Sequence, residues 1–373
     1  MAKAGFPVSL LAEEGSARLS YFRQFVIAHP RLKEIDAALW STILEPAGVS
    51  LVFVYGPTGV GKTTLRRHLE SRLKEEGCGR HEKRHLAVVG VDAIPPDAGH
   101  FAWRDFYRRT LKELEQPFLP ESADQAPIGV YRDRFGEIVY NSHLQQHELR
   151  QAVEQSLRHR QPCALLIDEA QHIAKVASGR RLQDQVDCLK FLAQQSRTLM
   201  VLIGTYELQS LRNLSGQLSR RSRHLHFSRY GTSGEDLKVF RSIIYNLQLH
   251  LPVARTPNLI KHWEYLYARS IGCTGILKDW LVRCLAAAIA DKSQTITLKR
   301  LEEYALPASQ CERIATEAIE GERYFTEEEE SSRRLMGLLG LNAGAEANVS
   351  PQTETTAISP RLIERKPRRD KID

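Results

Sequence analysis

The stretch Leu51-Val-Phe-Val-Tyr55-Gly56-Pro-Thr-Gly-Val-Gly61-Lys62-Thr63 decides the fold of this 373-residue chain. It opens with an apolar, β-branched and aromatic run, which is typical of a strand buried in a parallel sheet. The residues that follow fit the pattern G-x-x-x-x-G-K-S/T, and helical periodicity resumes at Lys62. A strand, a glycine-rich turn and a helix in this order predict a loop whose backbone N–H groups surround phosphate oxygens.

The residue types in this loop suit ATP and Mg²⁺. Glycines allow the turn, Lys62 can bring positive charge to the β- and γ-phosphates, and the Thr63 hydroxyl can bind Mg²⁺. The alternative is a glycine-rich turn that binds no ligand. The predicted nucleotide-binding residues of the loop are Gly56, Pro57, Thr58, Gly59, Val60, Gly61, Lys62, Thr63 and Thr64.

Two further apolar runs end in polar residues, one at Asp168-Glu169 and one at Gly204-Thr205. The carboxyl ends of parallel strands meet at one edge of a sheet, so these residues are expected beside the phosphates. We predict that Asp168 holds Mg²⁺ through water and that Glu169 is the general base toward the attacking water. Thr205 would bond the γ-phosphate or that water. The alternative for Glu169 and for Thr205 is a helix cap.

Strand candidates alternate with helical patterns up to Gly231, and helical patterns alone follow. The fold class predicted is therefore α/β, a parallel sheet flanked by helices, followed by a small all-helical lid domain and a disordered C-terminal tail. The predicted domains are a helical N-terminal segment at 1–50, an α/β nucleotide-binding domain at 51–230, the helical lid at 231–320, and a charged and disordered tail at 321–373.

Composition and charge narrow the function classes. The formal net charge is +7, which mildly favours a polyanionic partner. Apolar runs are too short to span a bilayer and the N-terminus lacks the apolar core of a secretory signal, so we expect a cytoplasmic protein. The six cysteines form no C-x-x-C pair, which predicts free thiols and no structural zinc.

An arginine cluster, Arg220, Arg221 and Arg223, precedes a short apolar strand candidate. If copies of the chain pack side by side, one of these arginines could reach the γ-phosphate of a neighbour and stabilise the charge that develops during hydrolysis. We assign this catalytic role to Arg221, with Arg220 and Arg223 left open. A solvated basic turn or a nucleic-acid contact is the alternative.

The order of these motifs resembles that of the AAA+ ATPases, and more narrowly that of the TniB/TnsC family, the ATPases that regulate heteromeric DNA transposons. The resemblance runs from about Phe22 to Ala290. The residues that carry it are Phe25-Val-Ile-Ala-His29-Pro30-Arg31, Gly56-Pro-Thr-Gly-Val-Gly-Lys-Thr63, Leu165-Leu-Ile-Asp-Glu-Ala-Gln-His172, Val201-Leu-Ile-Gly-Thr205, Arg221-Ser-Arg-His-Leu-His-Phe227 and Thr274-Gly-Ile-Leu-Lys278-Asp-Trp-Leu281.

The resemblance implies an ATPase that assembles as a ring or helical filament on double-stranded DNA. Such an assembly links a TniQ-type target selector to the transposase, including in CRISPR-associated transposons. It also implies an adenine contact at His29 and Pro30, and a basic lid residue near the γ-phosphate. Because Ile276 follows Gly275 where the family has arginine, Lys278 is the nearest substitute.

DNA contacts are expected from basic residues on one surface. Arg104, Arg108 and Lys112 share one helix face at i, i+4 and i+8 spacing. Arg180 and Arg181 lie in the loop predicted after the Asp168-Glu169 strand. An ordinary solvated surface is the alternative. Lys175 lies in the same loop as Arg180 and Arg181, and Arg132 and Arg134 lie in the loop after the Arg104–Lys112 helix; these are weaker candidates.

Two other functions fit the same motifs. One is an AAA+ initiator or loader ATPase for another DNA transaction, although no winged-helix pattern follows residue 320. The other is a nucleotide-switched signalling module that rarely hydrolyses its ATP, which a general base at Glu169 disfavours.

Overall fold

The structure is a computed structural model that describes residues 5–76, 85–96, 99–114, 130–132, 138–140, 145–175, 180–214 and 221–339. The chain divides into two compact units, Met1–Arg323 and Tyr324–Asp373, and every contact described below lies within the first. No helix among the described residues is long and apolar enough to cross a membrane.

A five-stranded parallel sheet is the centre of the first unit, as the alternating pattern predicts. Its order is β2-β5-β6-β1-β7, and a separate antiparallel hairpin pairs β3 with β4. The strands are β1 (Leu51–Tyr55), β2 (Val89–Asp92), β3 (Val130–Arg132), β4 (Ile138–Tyr140), β5 (Ala164–Asp168), β6 (Leu199–Gly204) and β7 (Ser222–His226).

Helices cover the sheet because its central strands are apolar on both sides. Every residue of β1, β5 and β6 is buried. Apolar residues of α2 and α3, Leu39 and Leu65 among them, share one core with Val54 and Leu166 of the sheet. The helices up to β6 are α1 (Gly15–Gln24), α2 (Pro30–Leu44), α3 (Lys62–Glu76), α4 (Trp103–Glu113), α5 (Gln146–Arg160), α6 (Gln171–Ala174) and α7 (Arg180–Ser196).

The region after β7 is helical, which confirms the predicted lid. Phe240, Leu277 and Trp280 are fully buried in its core, together with Phe22 from α1. We call the helix Thr274–Ala290 the docking helix, for contacts given below. The other helices here are Gly234–His250, Trp263–Ser270, Leu298–Tyr304 and Ala308–Leu338.

The last helix continues to Leu338, past residue 321, where the predicted charged and disordered tail begins. Packing explains this extension at its start. A Cβ on Gly321 would lie 2.1 Å from the Tyr206 ring, and Glu322 forms an ion pair with Arg229 at 3.0 Å. The rest of the predicted tail, residues 340–373, lies outside the described residues.

The thiols follow the prediction in part. Cys188, Cys273, Cys284 and Cys311 are free. Cys163 forms a disulfide, contrary to the expectation that all six would be free thiols.

His29 caps α2, and it can do so only when its ring is neutral. Its Nδ1 accepts the Leu32 N–H at 3.3 Å and lies 2.9 Å from the Tyr230 hydroxyl. Burial lowers the pKa of His29 to about 4, with the charge of Arg31 as a second cause. A histidine in the unfolded chain has a pKa of about 6.5, so the unfolded state binds a proton more readily than the folded state. The contribution of neutral His29 to the free energy of unfolding is therefore full above about pH 6.5 and is lost as the pH falls toward about 4.

We predict that lowering the pH from 7 to 5 reduces the free energy of unfolding by about 2 kcal/mol through His29 alone. The variant His29→Asn keeps a capping acceptor that does not titrate, so its loss over the same interval should be about 2 kcal/mol smaller. Urea unfolding at the two pH values measures this difference. Burial also lowers the pKa of His226 to about 4, but that group titrates in both proteins and cancels. Equal losses would contradict the prediction.

Candidate active site

The predicted site residues meet at the carboxyl edge of the sheet. Tyr55 at the end of β1 pairs with Gly204 at the end of β6, so the loop at Gly56 and Thr205 leave neighbouring strands side by side. Asp168 ends the adjoining strand β5, opposite Asp92 of β2. The parallel topology thus brings the phosphate loop, the acidic pair and Thr205 to one place.

The phosphate loop needs its glycines for conformation and for space. Gly59 has φ +77° and Gly61 has φ +115°, a region that other residues rarely adopt. A Cβ on Gly56 would lie 2.4 Å from the carbonyl oxygen of Phe227. Replacing any of the three would therefore distort the turn.

The N-terminus of the docking helix holds the loop from outside. The Ile276 N–H donates to the Gly59 carbonyl at 3.1 Å, and Thr274 Oγ1 donates to the Val60 carbonyl at 3.0 Å. A Cβ on Gly275 would lie 2.4 Å from the Gly59 oxygen, so glycine permits this approach. In a trans peptide the C=O and the following N–H point in opposite directions. Because the helix turns the two carbonyls outward, the following N–H groups, those of Val60 and Gly61, point away from the helix. The Val60 N–H donates to the Pro57 carbonyl at 3.4 Å, and the Gly61 N–H suits a phosphate cradle.

Lys62 lies under the loop, where its positive charge can bind an anion held by the loop. The side chain is 8% exposed, and Nζ donates to the carbonyls of Gly56 and Pro57 at 2.9 Å each. Burial lowers the pKa of Lys62 to about 8, while Glu169 and Asp168 act in the opposite direction. Bound phosphate would favour the charged form further.

Thr63 and Asp168 offer the oxygen ligands that Mg²⁺ prefers. Asp168 is buried and accepts hydrogen bonds from the Thr63 side chain and from the Glu169 N–H, the latter at 2.9 Å. Burial raises the pKa of Asp168, and these bonds and Arg66 oppose the rise. Groups of three or more His, Cys, Asp or Glu that could hold a metal are absent from the described residues. An ion here would complete its shell with water and phosphate.

Glu169 and Thr205 are joined through Gln171. Gln171 Nε2 donates to Glu169 Oε2, and Gln171 Oε1 accepts the Thr205 N–H at 3.2 Å. The Glu169 side chain is exposed, whereas Thr205 Oγ1 is buried and has no hydrogen-bond partner among the described residues. A buried hydroxyl without a partner at this edge fits a site that a phosphate or water oxygen completes.

Lys278 does not take the predicted position at the phosphates. Its Nζ donates to the Phe25 carbonyl and lies 4.5 Å from the centre of the Phe22 ring. The lysine therefore binds the N-terminal segment, because apolar residues of α1 pack against this side of the docking helix. His29 and Pro30 form the N-cap and first residue of α2, and His29 Nε2 lies 3.4 Å from Thr274 Oγ1.

Arg221 lies at the opposite edge of the sheet from the phosphate loop. It precedes β7, and its carbonyl accepts the N–H groups of Ser50 and Leu51, where β1 begins. Its side chain is exposed. Arg223 instead donates to Thr42 Oγ1, and Arg220 lies outside the described residues. A strand of this length spans about 17 Å, so Arg221 cannot reach the loop of its own chain.

The structure describes the side chains of some of the predicted DNA-contacting residues. Arg104 and Lys112 are exposed on α4, and Arg108 is half-buried. The opposite face of α4 is buried. Arg104 and Arg108 each interact with another group of the protein. Arg180 and Arg181 begin α7 and do not lie in a loop, contrary to the prediction. The side chains of these two residues lie outside the description, as does Arg134. Lys175 is exposed after α6, and Arg132 ends β3.

Sequence reasoning missed two polar side chains of the site. Arg66, one turn after Lys62, lies 3.5 Å from Asp168 and 3.2 Å from Asp92. The i+4 spacing of Arg66 from Lys62 places the two residues on the same helix face, so the sequence could have predicted that Arg66 lies near the site. Gln171 stands two residues after Glu169 in the quoted motif, but nothing local predicts its bond to Thr205, which follows a different strand.

The match to a protein-family model agrees with this geometry. Residues 47–211 match the family described as AAA domain. No curated protein matches the chain significantly. Among solved structures, the chain is similar to the ORC2 protein of Aeropyrum pernix in its ADPNP–ADP complexes, with 16% identity and a TM-score of 0.46, over 78% of this chain and 71% of that one.

Two other solved structures are similar at the same level. The ORC1 protein of Aeropyrum pernix, in complex with DNA, has 19% identity and a TM-score of 0.48, over 74% of this chain and 65% of that one. Domain III of the replication initiation protein DnaA from Thermotoga maritima has 14% identity and a TM-score of 0.43, over 77% and 97%. Together with the phosphate loop, the buried Asp168 and the parallel sheet, the family match identifies residues 47–211 as an AAA-type P-loop ATPase domain.

Proposed function

We propose that this protein is an ATP-dependent, DNA-binding regulator of transposition that oligomerises on duplex DNA and couples target-site selection to transposase recruitment. The observation that supports an oligomer is the position of Arg221, which is exposed at the edge of the sheet opposite to the phosphate loop. Only a neighbouring copy can bring this arginine to the γ-phosphate. A contact between two different surfaces repeats from copy to copy, so it generates a ring or a helical filament.

The residues at the carboxyl edge have distinct tasks in this proposal. The loop N–H groups and Lys62 hold the phosphates, and Thr63 and Asp168 hold Mg²⁺. When bound, Mg²⁺ neutralises phosphate charge. Glu169 accepts a proton from the water that attacks the γ-phosphate, and the Thr205 hydroxyl bonds that water or the phosphate. His29 and Pro30 contact the adenine in this proposal, and His29 also steadies the loop through Thr274.

The basic face of α4 supports duplex DNA as the partner. Arg104 and Lys112 are exposed two turns apart, and the other side of the helix is anchored by the buried Trp103, Phe106 and Leu111. A rigid helix with basic residues in a row suits phosphate contacts that do not read sequence. Arg180 and Arg181 are retained as weaker candidates at the start of α7.

The transposition role rests on the TniB/TnsC resemblance, which names a TniQ-type target selector and a transposase as partners. A transposition reaction reconstituted with these partners tests it. The proposal expects target choice to depend on ATP and on this protein. Assembly on DNA without any effect on target choice would favour the initiator or loader function instead.

We predict that Lys62→Ala abolishes ATP-dependent assembly on duplex DNA, because the buried charge that holds the phosphates is removed. Lys74→Ala, which changes an exposed lysine of the same helix, is the matched control and should assemble normally. Light scattering after size-exclusion chromatography, with and without ATP and DNA, measures the mass. Assembly retained by Lys62→Ala would show that nucleotide does not organise the oligomer.

We predict that Arg221→Ala and Glu169→Gln each lose ATP hydrolysis and that an equal mixture of the two recovers about a quarter of wild-type turnover. The recovery follows because about one interface in four then joins an intact Glu169 to an intact Arg221. Arg197→Ala, at another exposed arginine before β6, should keep full turnover. A mixture as inactive as its components would exclude Arg221 as the residue supplied by the neighbour.

We predict that Arg104→Ala with Lys112→Ala weakens DNA binding and reduces the slope of log affinity against log salt by about 2, since each phosphate contact contributes about one unit. Arg109→Ala is the control, because Arg109 is on the same helix but pairs with Asp105 at 2.9 Å. Fluorescence anisotropy with labelled duplex at several salt concentrations gives the slopes. An unchanged slope in the double variant would remove α4 from the DNA interface.

A further inference from the structure

We propose that Gln171 is a positioning residue that orients the Glu169 carboxylate and ties it to the strand end carrying Thr205. The proposal rests on the proposed role of Glu169 as general base. Gln171 is separate from the groups expected to touch nucleotide, and it acts through the two side-chain bonds that it makes.

The bond to Thr205 fixes which way the Gln171 amide faces. A backbone N–H can only donate, so the atom 3.2 Å from the Thr205 nitrogen must be the amide oxygen. The amide NH₂ then faces Glu169 Oε2, to which it donates. Exchanging the two amide atoms would lose both bonds, which gives Gln171 a single usable orientation.

Packing also restricts Gln171. The residue is 5% exposed and begins α6, directly after the turn at Glu169 and Ala170. A Cβ on Gly204 would lie 2.4 Å from Gln171 Oε1, so the amide occupies space that only a glycine at the end of β6 leaves open. Ala170 N–H also donates to the Ile203 carbonyl at 3.0 Å, which joins the same two segments through the backbone.

Glu169 needs such a partner because its position is not fixed by burial. Its backbone has φ +52°, unusual for a residue with a side chain, and the side chain itself is exposed. A general base must keep one oxygen within hydrogen-bond distance of the attacking water. With Oε2 bonded to Gln171, Oε1 is left to accept the proton, and the orientation depends on where the end of β6 lies.

The isosteric variant Gln171→Glu separates the two bonds. Its carboxylate can still accept the Thr205 N–H, but it cannot donate to Glu169 and places a second negative charge beside it. The two carboxylates would repel each other, so Glu169 would no longer be held in the orientation that the amide gives it. Gln171→Leu removes both bonds at similar volume, and Gln194→Ala, an exposed glutamine of α7, is the control.

The test uses the full chain with duplex DNA and measures kcat and KM, with fluorescent-nucleotide binding to confirm a folded site. We expect Gln171→Leu to lower kcat at least about tenfold with KM changed less than about twofold. We expect Gln171→Glu to lower kcat by a similar factor, again with KM changed less than about twofold. Gln194→Ala should match the wild type.

Two results would overturn the proposal. One is wild-type kcat in both Gln171→Leu and Gln171→Glu. The other is a parallel loss of nucleotide binding and kcat in both variants, which would mean a purely structural residue. The variant Glu169→Gln distinguishes a failure of this proposal from a failure of the proposed function. If Glu169→Gln hydrolyses ATP normally, Glu169 is not the general base. If Glu169→Gln is inactive while the Gln171 variants are unaffected, only the role of Gln171 is rejected.

Discussion

The contact between the phosphate loop and the docking helix is the constraint on which the site depends. Two loop carbonyls, those of Gly59 and Val60, are turned toward Ile276 and Thr274. The following N–H groups therefore point away from the helix, and Lys62 lies beneath, where Nζ donates to the carbonyls of Gly56 and Pro57. The loop is thus shaped for an anion by a helix more than 200 residues further along the chain. The lid is consequently part of the nucleotide site.

The same topology separates the two halves of the proposed active site. Parallel strands bring the acidic pair and Thr205 to the carboxyl edge, and they bring Arg221 to the amino edge. Since these edges are a full strand length apart, a site that uses Arg221 as proposed needs two copies of the chain. Under that proposal nucleotide binding and assembly are coupled, and a DNA duplex held by several copies would collect many weak phosphate contacts.

The sequence predicted the features that depend on neighbouring residues. The loop, the acidic strand end and the buried strands follow from short patterns, and each is confirmed. What failed depends on distant contacts. Lys278 binds the Phe25 carbonyl because α1 packs on the docking helix. The bond between Gln171 and Thr205 requires knowing that β5 and β6 are adjacent, and the helix past residue 320 is supported by Tyr206 and Arg229.

A structure of the protein assembled on duplex DNA with a non-hydrolysable ATP analogue tests the central claim most directly. The account predicts a triphosphate between Lys62 and the loop N–H groups, with the Ile276–Gly59 bond retained and a neighbouring copy's arginine at the γ-phosphate. A nucleotide enclosed by one chain alone, with the docking helix detached from the loop and no neighbour's arginine beside the phosphates, would contradict it.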